Sequence, residues 1–237
     1  MSLRALRERL RQQADSAKAK VLKRFFKMRP GEYGEGDIFL GVTVPKTRNI
    51  AKEFQHLSLK DAASLLRSKL HEERLAALLI LILKYNKAQA PGKEKIYRLY
   101  LKHTRYINNW DLVDLSAPSI AGAFLWDKSR KPLYALAKSK RLWERRISLL
   151  ANFYFIRNGD FDDALRIACL LLNDKEDLIH KALGWMLREI GKRDQTREEE
   201  FLDTHHSIMP RTALRYAIER FPESKKRYYM SQPRTSG

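Results

Sequence analysis

The chain has 237 residues and a mass of 27.8 kDa, enough to bury a continuous core without disulfides as one large domain or two small ones. Its hydrophobic fraction of 44% excludes wholesale disorder, and its 47 Lys and Arg against 28 Asp and Glu leave a formal net charge of +19. That excess is well beyond what solubility requires and points to a polyanionic partner, since each neutralised phosphate releases condensed counterions; an anionic membrane surface would satisfy the same charge.

Helical periodicity runs along the whole sequence. Leu3, Leu6 and Leu10 open it on one face. Arg4, Arg7, Arg9 and Arg11 are interleaved with these leucines, with no uninterrupted apolar stretch behind, so no signal peptide is expected. A loop over 29–37 carries Pro30, Gly31, Gly34 and Gly36 but lacks the Gly-Lys-Ser/Thr ending of a phosphate-binding P-loop. Pro45 stands at a first-turn position of a helix reaching Phe54. Ser58 and Asp61 form a capping pattern ahead of Leu59, Ala62, Leu65, Leu66 and Leu70. The stretch 72–85 is apolar enough to be a central buried helix, yet its most apolar run, Leu75 to Leu83, is about half of a bilayer span. Pro91-Gly92 is expected to break the chain before a helix over 93–102. Cys169, the sole cysteine, sits in the apolar run Ala168–Leu172 and reads as a small core residue. A single thiol makes no internal disulfide and fits a reducing cytoplasm. No period-2 strand or Asn-Gly hairpin signal is present, and the expected fold is all-α.

The helices recur. Apolar helices begin near Glu73, Trp110, Trp143, Asp177 and Pro210, roughly 33 to 37 residues apart, the scale of stacked helix-pair repeats. Less regular partner helices precede them over 93–104, 131–139, 161–172 and 197–205. Such pairs bury their apolar faces only by stacking, which predicts a helical-repeat solenoid of antiparallel pairs with a basic concave face. A globular bundle with coincidental spacing is the alternative. With no Pro/Gly/Ser linker, a single domain over 1–230 is expected, followed by a disordered tail over 231–237.

Trp110, Trp143 and Trp185 fall in successive repeats beside Asp111 and Asp114, Arg145 and Arg146, and Arg188. Arg grips phosphate and tryptophan offers a face to a base, a sugar or a cation, although tryptophans on apolar helices also serve as core. Asp114 lies four residues after Trp110, so the two share a helix face. A carboxylate in a phosphate-binding groove works against affinity. It needs a reason: stabilising an oxocarbenium-like sugar or positioning a water, or else a salt bridge to Arg146 or a helix N-terminal charge, a role that Asp111 also fits. No HExxH or CxxC is present and His205-His206 occupy different faces, so no metal site is expected. Arg29 and the run Lys225–Arg227 with Tyr228 and Tyr229 are further phosphate-contact candidates, or a solubilising tail.

The strings Phe39-Leu40-Gly41-Val42 with Pro45, Trp110-Asp111-Leu112-Val113-Asp114, Trp143-Glu144-Arg145-Arg146 and Lys181-Ala182-Leu183-Gly184-Trp185-Met186-Leu187-Arg188-Glu189 resemble the DNA alkylation repair glycosylases of the AlkD type, from about Leu22 to Phe221. The resemblance implies stacked HEAT-like repeats around duplex DNA and hydrolysis of the N-glycosidic bond of cationic N3- and N7-alkylated purines, without a deep base pocket. It also implies a role for five residues. Asp114 matches the catalytic aspartate, Trp110 and Trp185 match aromatics that contact the lesion nucleotide, and Arg146 and Arg188 match arginines of the same cleft. The chain departs from the pattern in two places: Asn109 precedes Trp110 where a second aromatic can occur, and the loop before Phe39 is longer and richer in glycine.

The expectation is therefore a monomeric, cofactor-free, metal-free cytoplasmic (nucleoid-associated if prokaryotic) glycosylase acting on duplex DNA that contains alkylated bases, with no membrane role. The alternative is a non-catalytic module of the same fold that binds branched or damaged DNA.

Overall fold

The computed structural model describes residues 2–233, which are helical apart from their connections and an isolated bridge between Ile38 and Leu70. The all-α expectation holds. The chain divides into two compact units, one ending at Ser116 and the other beginning at Ala117.

The first unit contains α1 (Leu3–Gln12), α2 (Ser16–Phe25), α3 (Val44–Glu53), α4 (Leu59–Leu66), α5 (His71–Lys87), α6 (Ala90–Lys102) and α7 (Trp110–Ser116), with a 3-10 turn at Thr104–Tyr106. Helix α5 is its centre. A continuous buried stretch from His71 to Leu81 packs against α1, α3, α4, α6 and α7, so polar residues at its N-terminus are carried into the interior along with the leucines. The Ser58–Asp61 capping box is present in full: Ser58 Oγ accepts from the Asp61 N–H and the Asp61 carboxylate accepts from the Ser58 N–H. Pro91-Gly92 does not break the chain. The break comes earlier, at Ala88 and Gln89, and Pro91 occupies the first turn of α6, where its missing N–H costs nothing. Helix α2 is not visible in the apolar pattern, and it buries none of its side chains; Asp15 caps it by accepting from the Lys18 N–H.

The second unit opens with a π-helical turn, Ala117–Gly122, followed by α8 (Ala123–Leu125), α9 (Lys131–Ala137), α10 (Leu142–Arg157), α11 (Asp162–Leu170), α12 (Asp177–Gly191), α13 (Gln195–His205), α14 (Arg211–Ala217), a 3-10 turn at Ile218–Arg220 and α15 (Glu223–Ser231). Long inner helices alternate with shorter partners: α10 packs on the π-helical turn, α9, α11 and α12, and α12 on α13 and α14. The repeat is visible in two close crossings. A Cβ on Gly122 would meet the Ala151 carbonyl oxygen at 2.2 Å and Tyr154 Cβ at 2.7 Å; a Cβ on Gly184 would meet the Ala213 carbonyl oxygen at 2.2 Å and Tyr216 Cβ at 2.5 Å. The two constellations have the same spacing along the chain, and each lets one inner helix lie directly on the backbone of the next.

Cys169 corrects the sequence expectation. It is exposed, because α11 buries Ala164, Ile167 and Ala168 at helical spacing and places the thiol outside that stripe. Ser231 closes α15 and the Gln232 carbonyl accepts a hydrogen bond from Arg211; residues 234–237 of the expected tail lie outside the described residues. No helix among the described residues is long and apolar enough to cross a membrane.

Candidate functional site

Helix α7 carries Trp110, Asp111 and Asp114, and its start is held by a buried polar cluster. The loop over 29–37 delivers Asp37 into the interior. One Asp37 oxygen accepts from Arg74 at 2.6 Å and from Asn108 at 3.3 Å; the other meets His71 Nδ1 at 3.1 Å and, at the longer 3.5 Å, Asn109 Nδ2. His71 Nε2 lies 2.8 Å from the Asp111 carboxylate. The imidazole, the first residue of α5, thus bridges a loop carboxylate and an α7 carboxylate. Burial pulls its pKa down, but the hydrogen bonds it donates to Asp111 and Asp37 outweigh this and leave it above the ordinary 6.5. Burial likewise raises Asp37, and the hydrogen bond from His71 with the charge of Arg74 brings it net below 3.8. Asn109 is sealed from solvent, and its Oδ1 accepts from the Trp110 N–H at 2.8 Å.

The neighbouring Glu72 serves the other side of the same turn. Its carboxylate accepts three consecutive backbone N–H groups, from Leu40 (3.0 Å), Gly41 (2.8 Å) and Val42 (3.2 Å). The Phe39–Val42 string is therefore a backbone nest around an acid of α5. Above it lies a cavity of about 460 Å³ walled by Val21, Leu22, Phe26, Phe39, Leu75 and Trp110. Trp110 is half-buried; Phe26 stacks on it at 5.2 Å and the 60%-exposed Phe25 meets it edge-on at 5.7 Å. Asp114, one turn further, is half-buried. Burial and, to a lesser degree, the Asp114 charge raise the pKa of the fully buried Tyr100, whose hydroxyl pairs with Ser116 Oγ at 3.1 Å.

In the second unit, Arg146 is buried and donates to the Leu178 carbonyl. Arg188 pairs with Glu219. Half-buried Trp185 donates from Nε1 to Glu189 at 3.3 Å and tilts against Phe153 at 5.6 Å. Among the terminal candidates, Lys225 pairs with Glu199 and Lys226 with Glu223, Tyr229 is buried with its hydroxyl on Asp203, and Tyr228 is exposed. No cluster of His, Cys, Asp or Glu able to hold a metal ion occurs among the described residues.

The family model for DNA alkylation repair enzymes matches residues 6–221. The chain belongs to the DNA alkylation repair enzyme family. Its fold resembles that of a predicted DNA alkylation repair enzyme from Enterococcus faecalis, with a TM-score of 0.68 at 15% identity over 89% of this chain and 98% of that one. It also resembles smu.31 from Streptococcus mutans UA159, with a TM-score of 0.54 at 17% identity over 90% of this chain and all of the other. No curated protein matches it. The helical-repeat fold of this repair family is thus the fold of the chain, and DNA is the substrate that the family implies.

Within that family fold, Trp110 and Asp114 share α7 as the sequence implies, while Trp185 and Arg188 share α12 and Arg146 lies on α10. Sequence reasoning missed the cluster behind α7. His71, Glu72 and Arg74 read as the polar start of a buried helix, and Asp37 as the end of a glycine-rich loop; the signal was that this start is buried although four consecutive residues are ionisable. The glycine-rich loop and Asn109 are also linked. The loop supplies Asp37, and Asn109 is one of the amides facing it.

Proposed function

We propose that this family member is a monofunctional DNA glycosylase that hydrolyses the N-glycosidic bond of cationic N3- or N7-alkylated purines in duplex DNA. The observation that carries the reading is the placement of the Asp114 carboxylate one turn from Trp110, on a helix whose start is anchored, in a repair-family chain of charge +19.

The chemistry asks little of the protein. An alkylated purine already carries positive charge, so the C1′–N bond breaks with its electron pair leaving on the base, and no general acid is needed. What remains is an oxocarbenium-like sugar. The Asp114 carboxylate stabilises that cation and orients a water for attack at C1′; the proton released by the water passes to the carboxylate or to solvent. Trp110 supplies an aromatic surface beside the sugar. Trp185, Arg146 and Arg188 are proposed as DNA contacts of the second unit, and residues 1–230 as a single working domain. The reaction needs no metal or organic cofactor, and the enzyme is proposed to act as a cytoplasmic monomer.

A second reading, a non-catalytic module for branched or damaged DNA, is favoured by two observations: Phe26 already stacks on Trp110, and Arg188 is already engaged with Glu219. Base release from a duplex carrying N7-methylguanine, by wild type and Asp114→Asn in parallel, separates the two. Release by wild type that falls at least a hundredfold in the variant supports the glycosylase. Unchanged release in the variant removes the catalytic assignment, and no release by wild type, with tight binding retained, favours the module.

A further inference from the structure

We propose that His71 is a positioning residue for α7: its imidazole, bridging Asp37 and Asp111, fixes the first turn of that helix and thereby the aim of Trp110 and Asp114. This rests on the glycosylase reading only for its consequence in catalysis; the coupling of His71 to Trp110 stands apart from it.

Packing leaves one side of Trp110 open. The cavity of about 460 Å³ borders both Trp110 and Asp111. Close packing, which normally fixes an aromatic to a fraction of an ångström, is therefore incomplete on that side. The start of α7 is tied by polar contacts at three of four consecutive positions: Asn108 and Asn109 face Asp37, and Asp111 meets His71. His71 is the joint of this arrangement, because one ring nitrogen meets Asp37 and the other meets Asp111.

A carboxylate only accepts, so an imidazole that satisfies one on each nitrogen must donate from both and carry a proton on each. The charged groups facing the ring are Asp37 from the loop, Asp111 from α7, and Arg74 from its own helix. Glu72 is taken up by the backbone of 40–42, Glu73 by Arg7 of α1 at 3.1 Å, and Lys18 of α2 lies across the cavity. Two carboxylates against His71 and Arg74 leave the cluster neutral only while the imidazole is charged. When the ring loses a proton, one nitrogen turns a lone pair toward a carboxylate, and one of the two anchors must open. The ring is stacked on Phe39 at 4.4 Å and cannot swing to serve both acceptors in turn.

The test follows His71 and Trp110 separately from catalysis. In ¹⁵N- and ¹³C-labelled full-length protein, the His71 ring and the four tryptophan indole N–H signals are recorded from pH 6 to pH 10. The expected result is that the Trp110 indole shifts with the midpoint of the His71 ring, that this shift collapses in Asp111→Asn, and that Trp126, Trp143 and Trp185 do not follow it. A Trp110 signal that stays put while His71 titrates overturns the proposal. In single-turnover base release with saturating enzyme, wild type should lose about tenfold in rate through the same midpoint. His71→Gln should be about tenfold slower and flat with pH, with duplex Kd within twofold of wild type. A variant that keeps the wild-type profile, or that loses binding and rate together, also overturns it. Should wild type release no base, the glycosylase reading falls, and the spectroscopic arm alone decides whether His71 sets Trp110.

Discussion

The Arg74 guanidinium meets the Asp37 carboxylate at 2.6 Å with both side chains almost wholly removed from solvent. A buried ion pair need not add net stability over an apolar pair, but breaking one by removing a single partner leaves an uncompensated charge and costs about 3–5 kcal/mol. Asp37→Ala should therefore lower unfolding stability by that order, and Asp37→Asn by less, since the amide oxygen still accepts. Urea titration of Asp37→Ala, Arg74→Ala and the double variant measures the coupling. A double variant no worse than either single one is expected; strict additivity would show that the pair does not act as a unit.

Gly41 is fixed by two independent constraints. Its φ is +85°, in the left-handed region, and a Cβ there would stand 2.0 Å from the Asp15 carbonyl oxygen. Gly41→Ala should destabilise by about 3 kcal/mol, combining the left-handed penalty with the displacement of the α2 start. Gly36→Ala, also at positive φ but in open space, should cost only about 1–2 kcal/mol. Equal losses at the two sites would mean that the contact with Asp15 contributes nothing.

Glu198 gives the second unit a pH dependence. Burial, with a smaller push from the charge of Glu199 and an opposing pull from Arg188, raises its pKa from 4.5 to about 8. The folded state therefore binds this proton more tightly than the unfolded chain does. The stabilisation is complete below about pH 4.5 and is lost as the pH rises through about 8. Glu198→Gln, which cannot ionise, should flatten the fall of Tm between pH 5 and pH 8.5, and at the alkaline end should melt at least about 4 °C above wild type. Parallel curves for the two proteins would place the carboxyl in contact with solvent.

A charge of +19 commits the chain to salt-dependent binding of DNA if the surface cations contact phosphates. About six contacts would give a slope near −5 in a plot of log affinity against log salt. Fluorescence anisotropy with an unmodified duplex, between 50 and 200 mM salt, measures it. A flat response would set aside the electrostatic account of affinity.

Helix type, the central position of α5, the capping box at Ser58 and the paired helices of the second unit follow from periodicity and local chemistry, which act within a turn or two of the chain. The pairing of Trp110 with Asp114 is of the same kind, since four residues on a helix define a face wherever the helix lies. Helix α2 was not legible because it buries nothing, so its apolar residues carry no core pattern. The exposure of Cys169 has a related cause: an apolar run does not say which of its members lie on the buried stripe.

What the sequence by itself determined is the set of helices, the excess of positive charge, and the placement of a carboxylate one turn from a tryptophan. What only the tertiary structure decided is how that helix is held. Asp37, His71, Arg74 and Asp111 are far apart along the chain, and no local rule brings a loop carboxylate, a helix N-terminus and a second helix to one point. Their meeting depends on the burial of the first turn of α5. In that interior, unpaired charges would be too costly to keep, so each of these groups is held against another.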